Sequence, residues 1–125
     1  MATRSALLNM TTGQMNYVHN DGYPGGERGR MSILELGYND PDSVKALFQR
    51  CFNTDISVLG PTIETSVFYD QRGESGRQWT NLKTDIENAI KSLEYSDCEY
   101  LYTWNGTKWN WIDLYQPNTN TVFPE

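Results

Sequence analysis

His19 is the only histidine of the chain, and Asp21 stands two residues beyond it. On an extended strand that spacing sends both side chains to one side. A histidine beside a carboxylate can serve as a general base or as a pH-sensitive contact. Directly downstream, the run Gly22-Tyr23-Pro24-Gly25-Gly26-Glu27-Arg28-Gly29-Arg30 packs four glycines and two arginines into one turn. Glycines let backbone N–H groups converge, and a helix starting behind them adds its positive dipole end, an arrangement suited to phosphate or another anion. Arg28 and Arg30 at a helix start oppose that dipole and so require an acidic partner, either a bound anion or a carboxylate from elsewhere in the fold. The competing reading is a tight surface turn with solvated arginines.

A second polar cluster, Tyr69-Asp70-Gln71-Arg72-Gly73-Glu74, leaves the end of an expected strand, where a rigid sheet can hold binding residues. As an exposed turn it would simply pair Arg72 with Asp70 or Glu74. The candidate ligand-binding set is therefore Arg4, His19, Asp21, Tyr23, Arg28, Arg30, Tyr69, Arg72 and Glu74. No Walker lysine, GxGxxG spacing, Gly-x-Ser-x-Gly element or HExxH element occurs. Without a second histidine or a CxxC pair, no metal or other cofactor is expected. A non-enzymatic binder of a host protein or a nucleotide-like small anion is the favoured function. The alternative is a small hydrolase or phosphoryl-transfer enzyme that uses His19 and Asp21, with Arg4 or Arg72 holding the phosphate.

These residues need a scaffold, and 125 residues suffice for one domain with an ordinary core. A net charge of −6 argues against broad binding to nucleic acid, whose affinity comes from clustered Lys and Arg. Four of the six arginines fall in the two glycine-bearing loops, so a local positive site on an acidic body is expected. That body also suits a basic protein partner, and a homo-oligomer is a separate expectation. No apolar run reaches membrane-spanning length and no signal-peptide stretch opens the sequence, which implies a cytosolic protein. Cys51 and Cys98 read as reduced, buried thiols.

Residues 3–10 and 14–19 predict a first hairpin. With Thr12-Gly13 as its loop, Leu8 faces Tyr17, Ala6 faces His19 and Arg4 faces Asp21. A short helix is expected over 28–36. Asp40-Pro41 opens a clearer one, in which Val44, Leu47, Phe48 and Cys51 form a buried stripe. Residues 53–64 read as a loop and 65–69 as a strand. A helix follows over about 82–93, with Thr84 and Glu87 at capping-box spacing. Asn105-Gly106 signals a closing hairpin that sets Tyr102 opposite Trp109 and Tyr100 opposite Trp111. The aromatic row reads as core rather than as a base-stacking surface. The whole predicts an α+β domain over 1–117, an antiparallel sheet of about five strands with two or three helices on one face, and an irregular tail over 118–125.

An ordered set of short segments spans most of the chain: Met1-Ala2-Thr3-Arg4-Ser5, Val18-His19-Asn20-Asp21-Gly22-Tyr23-Pro24, Asp55-Ile56-Ser57-Val58-Leu59-Gly60 and Phe68-Tyr69-Asp70-Gln71-Arg72-Gly73-Glu74. With the aromatic C-terminal hairpin, the set resembles a family of small proteins of tailed bacteriophages and prophages that share HxDGYP and YxRDRGE-like elements. Asp70-Gln71 departs from the Arg-Asp of the second element, which puts a strict role for Asp70 in doubt. The resemblance implies a phage accessory protein, in counter-defence or host takeover, acting in the infected bacterial cytosol.

Overall fold

A hairpin of two five-residue strands begins the sheet: β1, Ser5–Asn9, and β2, Gln14–Val18, paired antiparallel. The computed structural model describes residues 3–25, 29–52, 54–73, 86–93 and 96–114. The observed register pairs Ala6 with Tyr17 and Leu8 with Met15, two residues away from the expected one. The connection is longer because Asn9 closes it early. Its Oδ1 accepts from the Thr11 N–H at 3.0 Å, and its carbonyl accepts from the Gly13 N–H at 2.8 Å. Gly13 then takes a positive φ of 81°. A slip of two keeps every side chain on its expected face, since the side-chain period of a strand is two.

The chain next forms α1, Arg30–Gly37, and α2, Pro41–Arg50. Asp40 caps α2 as its sequence predicts, Oδ1 accepting from the Ser43 N–H at 2.8 Å. Two β2 side chains fix the far end of α2: Gln14 Nε2 donates to Phe48 O at 2.7 Å and Asn16 Nδ2 to Cys51 O at 2.6 Å. Residues 53–64, expected as loop, contain a three-residue strand, β3, Ile56–Val58, followed by β4, Val67–Phe68. After a 3-10 turn over Tyr69–Arg72 come α3, Ile86–Ser92, then β5, Tyr100–Trp104, and β6, Trp109–Asp113. Thr84 and the tail over 118–125 lie outside the described residues.

The sheet order is β4-β3-β2-β1-β5-β6. Six strands and a mixed pairing pattern replace the expected antiparallel five. β2–β3 and β1–β5 run parallel, the other neighbours antiparallel. Parallel neighbours require long crossovers, and here the crossovers carry helices to both faces of the sheet rather than to one. On one face, α1 and α2 cover Leu7, Val18, Ile56, Tyr102, Trp104 and Trp109. On the other, Ala89 of α3 and the adjoining Leu93 cover Ala6, Leu8, Met15, Tyr17, Leu101 and Ile112.

In the last hairpin the central turn residues are Gly106 and Thr107, one place later than expected. Asn105 Oδ1 accepts from the Thr107 and Lys108 N–H groups at 2.8 and 2.9 Å, which places Asn105 before the turn. Gly106 takes a φ of 107° at the first central position, where glycine is favoured. Tyr102 therefore pairs with Trp111 and Trp104 with Trp109. The Tyr100–Trp111 contact survives as a diagonal, edge-on pair with centroids 5.9 Å apart.

Candidate functional site

The glycine turn is built by the end of β2. The His19 and Asn20 N–H groups still donate to Ile56 and Ser57 carbonyls, so the chain stays strand-like through Asn20. Asp21 then adopts φ 58°, a left-handed conformation that Asp tolerates better than most residues. The alternation that would set His19 and Asp21 side by side ends there. Gly22 donates its N–H to Thr3 O at 2.9 Å. A Cβ on Gly22 would stand 2.6 Å from Thr3 O and 2.9 Å from Ser5 Oγ, so the turn lies flat on β1 only because this residue is glycine.

The turn presents carbonyls, not N–H groups, to the start of α1. Arg30 N–H donates to Tyr23 O at 2.7 Å and Met31 N–H to Pro24 O at 3.4 Å. A Cβ on Gly29 would overlap the Gly25 carbonyl, so this residue too is required by close backbone approach. The expected N–H cradle for an anion is thus partly occupied by the protein itself.

Arg30 turns inward and is 1 % exposed. Its Nη2 donates to Asn20 O at 2.6 Å, while the buried Nε–H has no partner among the described residues. Among the described residues no carboxylate forms an ion pair with it. Burial lowers the guanidinium from 12.5 to about 10, opposed by the electrostatic influence of Tyr102, Asp21, Tyr23 and Tyr38. Arg30 therefore stays charged at neutral pH. The Tyr102 hydroxyl donates a short hydrogen bond to Gly22 O, and burial pushes its phenol well above the ordinary range. Tyr38, whose hydroxyl donates to Gly60 O at 2.9 Å, is raised by burial as well. Ser5 Oγ, fully buried, also lacks a partner among the described residues. Asp21 is exposed and Tyr23 is 37 % exposed at the edge of this group.

The remaining expected residues lie elsewhere. His19 shares a hydrogen bond of 2.8 Å with the Tyr17 hydroxyl and meets the Tyr69 ring edge-on at 6.4 Å. Tyr17 belongs to the α3 face, whereas Tyr38 and Tyr102 beside Arg30 belong to the α1–α2 face. The β1–β2 register, carried one residue past Ser5 and Val18, sets Arg4 across from His19 instead of Asp21. On its other side Arg4 O accepts from the Glu99 N–H at 2.8 Å, which adds Glu99 to that row. Asp70 pairs with Arg50 through two hydrogen bonds of 2.9 and 3.0 Å, and that guanidinium lies 3.9 Å over the Phe68 ring. The sequence did not anticipate this contact from α2. Arg28 and Glu74 lie outside the described residues, as does the Arg72 side chain.

The sequence missed Glu99 and the Arg50–Asp70 pair, both products of tertiary pairing with no local signal. Among the described residues no group of three His, Cys, Asp or Glu could hold a metal ion, and no helix is long and apolar enough to cross a membrane. Cys51 and Cys98 are buried cysteines, and burial raises the Cys51 thiol to about 12. The fold and site together define an α+β domain with a buried cationic centre at one end of a mixed sheet. Comparison with protein-family models, curated proteins and solved structures finds no match.

Proposed function

We propose that this protein is a non-enzymatic binder that receives an anionic group at Arg30, beneath the turn of residues 20–25. The group belongs to a nucleotide-like small anion or to the acidic surface of a host protein. One observation carries the reading: a charged guanidinium buried to 1 % exposure has an unpartnered Nε–H and no ion-paired carboxylate among the described residues. Taking a cation out of water costs several kcal/mol, and an isolated one is rarely retained without a partner. Asp21 and Tyr23 border it on the exposed side and supply the point at which a ligand would enter. The resemblance to tailed-phage proteins supports an accessory role in the infected bacterial cytosol, in counter-defence or host takeover.

The test is thermal melting of the wild type and of Arg30→Met in inorganic phosphate, sulfate and a nucleoside monophosphate. A ligand at a hundredfold excess over its Kd stabilises the native state by about 2.7 kcal/mol. The wild type gains stability with at least one anion and Arg30→Met gains none. Equal responses in the two proteins refute a small-anion site at Arg30. Affinity capture from bacterial lysate with the same pair then tests a protein partner, and equal recovery by both ends the proposal.

A further inference from the structure

The opposite end of the sheet carries a second candidate site, independent of Arg30. The tips of both hairpins and the first turns of α2 enclose a cavity of about 300 Å³. Trp104, Val44 and Pro41 supply apolar wall, and Trp104 and Val44 are almost wholly buried at its base. Polar groups of Asn9, Thr11, Thr12 and Lys45 interrupt that wall, and two of them matter for charge and donors. Asn9 is 5 % exposed and commits its Oδ1 to Thr11, leaving its Nδ2 donor without a partner among the described residues. Lys45, exposed on α2, is the one charged residue among those lining the cavity.

We propose that this cavity binds a small planar molecule carrying a single carboxylate. The volume is at the lower limit of ligand pockets and admits one aromatic ring system. An indole wall suits an aromatic face. A lone ammonium and an amide donor, with no acidic lining residue on a chain of net charge −6, select an anion over a cation. The ring packs against Trp104 and Val44, and the carboxylate accepts from Asn9 Nδ2 and pairs with Lys45.

Benzoate, naphthoate and indoleacetate serve as probes, with benzyl alcohol as the uncharged control. Binding is read by amide and indole correlation spectra of the full chain. At millimolar concentration at least one carboxylate shifts the Trp104 indole and the Lys45 and Gly106 amides, and benzyl alcohol binds more weakly. Lys45→Glu and Thr12→Phe both change exposed lining residues, the first reversing the charge and the second filling the mouth. Each weakens binding by about tenfold or more, the equivalent of one ordinary polar or packing contact. Arg30→Met leaves it unchanged. The proposal is overturned if no carboxylate shifts these resonances, if Lys45→Glu binds as the wild type does, or if Arg30→Met abolishes binding.

Discussion

Replacing Arg30 by methionine separates a guanidinium that holds the fold together from one kept for a ligand. The side chain is 1 % exposed, so solvent screening takes little from either side of the balance. A fall from 12.5 to about 10 corresponds to roughly 3 kcal/mol against the charged form in the folded state. Against this stands one charge-assisted hydrogen bond, Nη2 to Asn20 O at 2.6 Å, worth about 2 kcal/mol. Methionine keeps most of the aliphatic packing and brings no polar atom that needs a partner. The two quantities nearly cancel, so Arg30→Met has an unfolding free energy within about 1 kcal/mol of the wild type, on the stabilised side if either. Arg30→Ala, which leaves a void as well, loses about 2–4 kcal/mol. Urea denaturation in anion-poor buffer measures both. A methionine variant destabilised by more than about 3 kcal/mol would show that the guanidinium is a structural strut. Its burial would then need no ligand to account for it.

Two further outcomes follow from the same region. Gly22→Ala places a Cβ 2.6 Å from the Thr3 carbonyl, which is backbone and cannot turn aside, so the variant loses about 1–3 kcal/mol by overpacking. A wild-type urea midpoint for that variant would contradict the flat seating of the turn on β1. The second outcome concerns alkaline pH. Tyr38 and Tyr102 are raised by burial above the ordinary value of 10.0, so their contribution is whole below that value and is lost as pH rises beyond it. Arg30 acts in the opposite sense between about 10 and 12.5, because the unfolded chain holds its proton more firmly there. Urea midpoints measured from neutral to about pH 11 therefore fall more steeply in Arg30→Met than in the wild type. Parallel profiles would remove Arg30 from the titration.

Where the sequence states a local contact, the structure reproduces it. Asp40-Pro41 and the stripe Val44, Leu47, Phe48 and Cys51 give α2, with the cap on Asp40 and the stripe buried. Both hairpins keep their faces although each register slips by two, because Asn9 and Asn105 bind the backbone beyond themselves and move the turn. Longer-range features are less legible. Ile56–Val58 is too short to show alternation and becomes a strand only because β2 lies beside it. The consecutive apolar run Ala6-Leu7-Leu8, buried on both faces, is the pattern of a strand covered from two sides, which the expectation of helices on one face overlooked.

The candidate site was divided for the same reason. Strand alternation assigns His19 and Asn20 to opposite sides, but the direction taken after Asn20 depends on one left-handed residue, Asp21. Aspartate permits that conformation without demanding it, so the sequence could not say that Arg30 would fold under one face while His19 joined Tyr17 and Tyr69 on the other. The two groups therefore stand on opposite faces of one sheet. At this end of the sheet Asp21 and Tyr23 are exposed. The proposed anion site thus rests on Arg30 and not on His19, because the turn at Asp21 parts the two to different faces of the sheet.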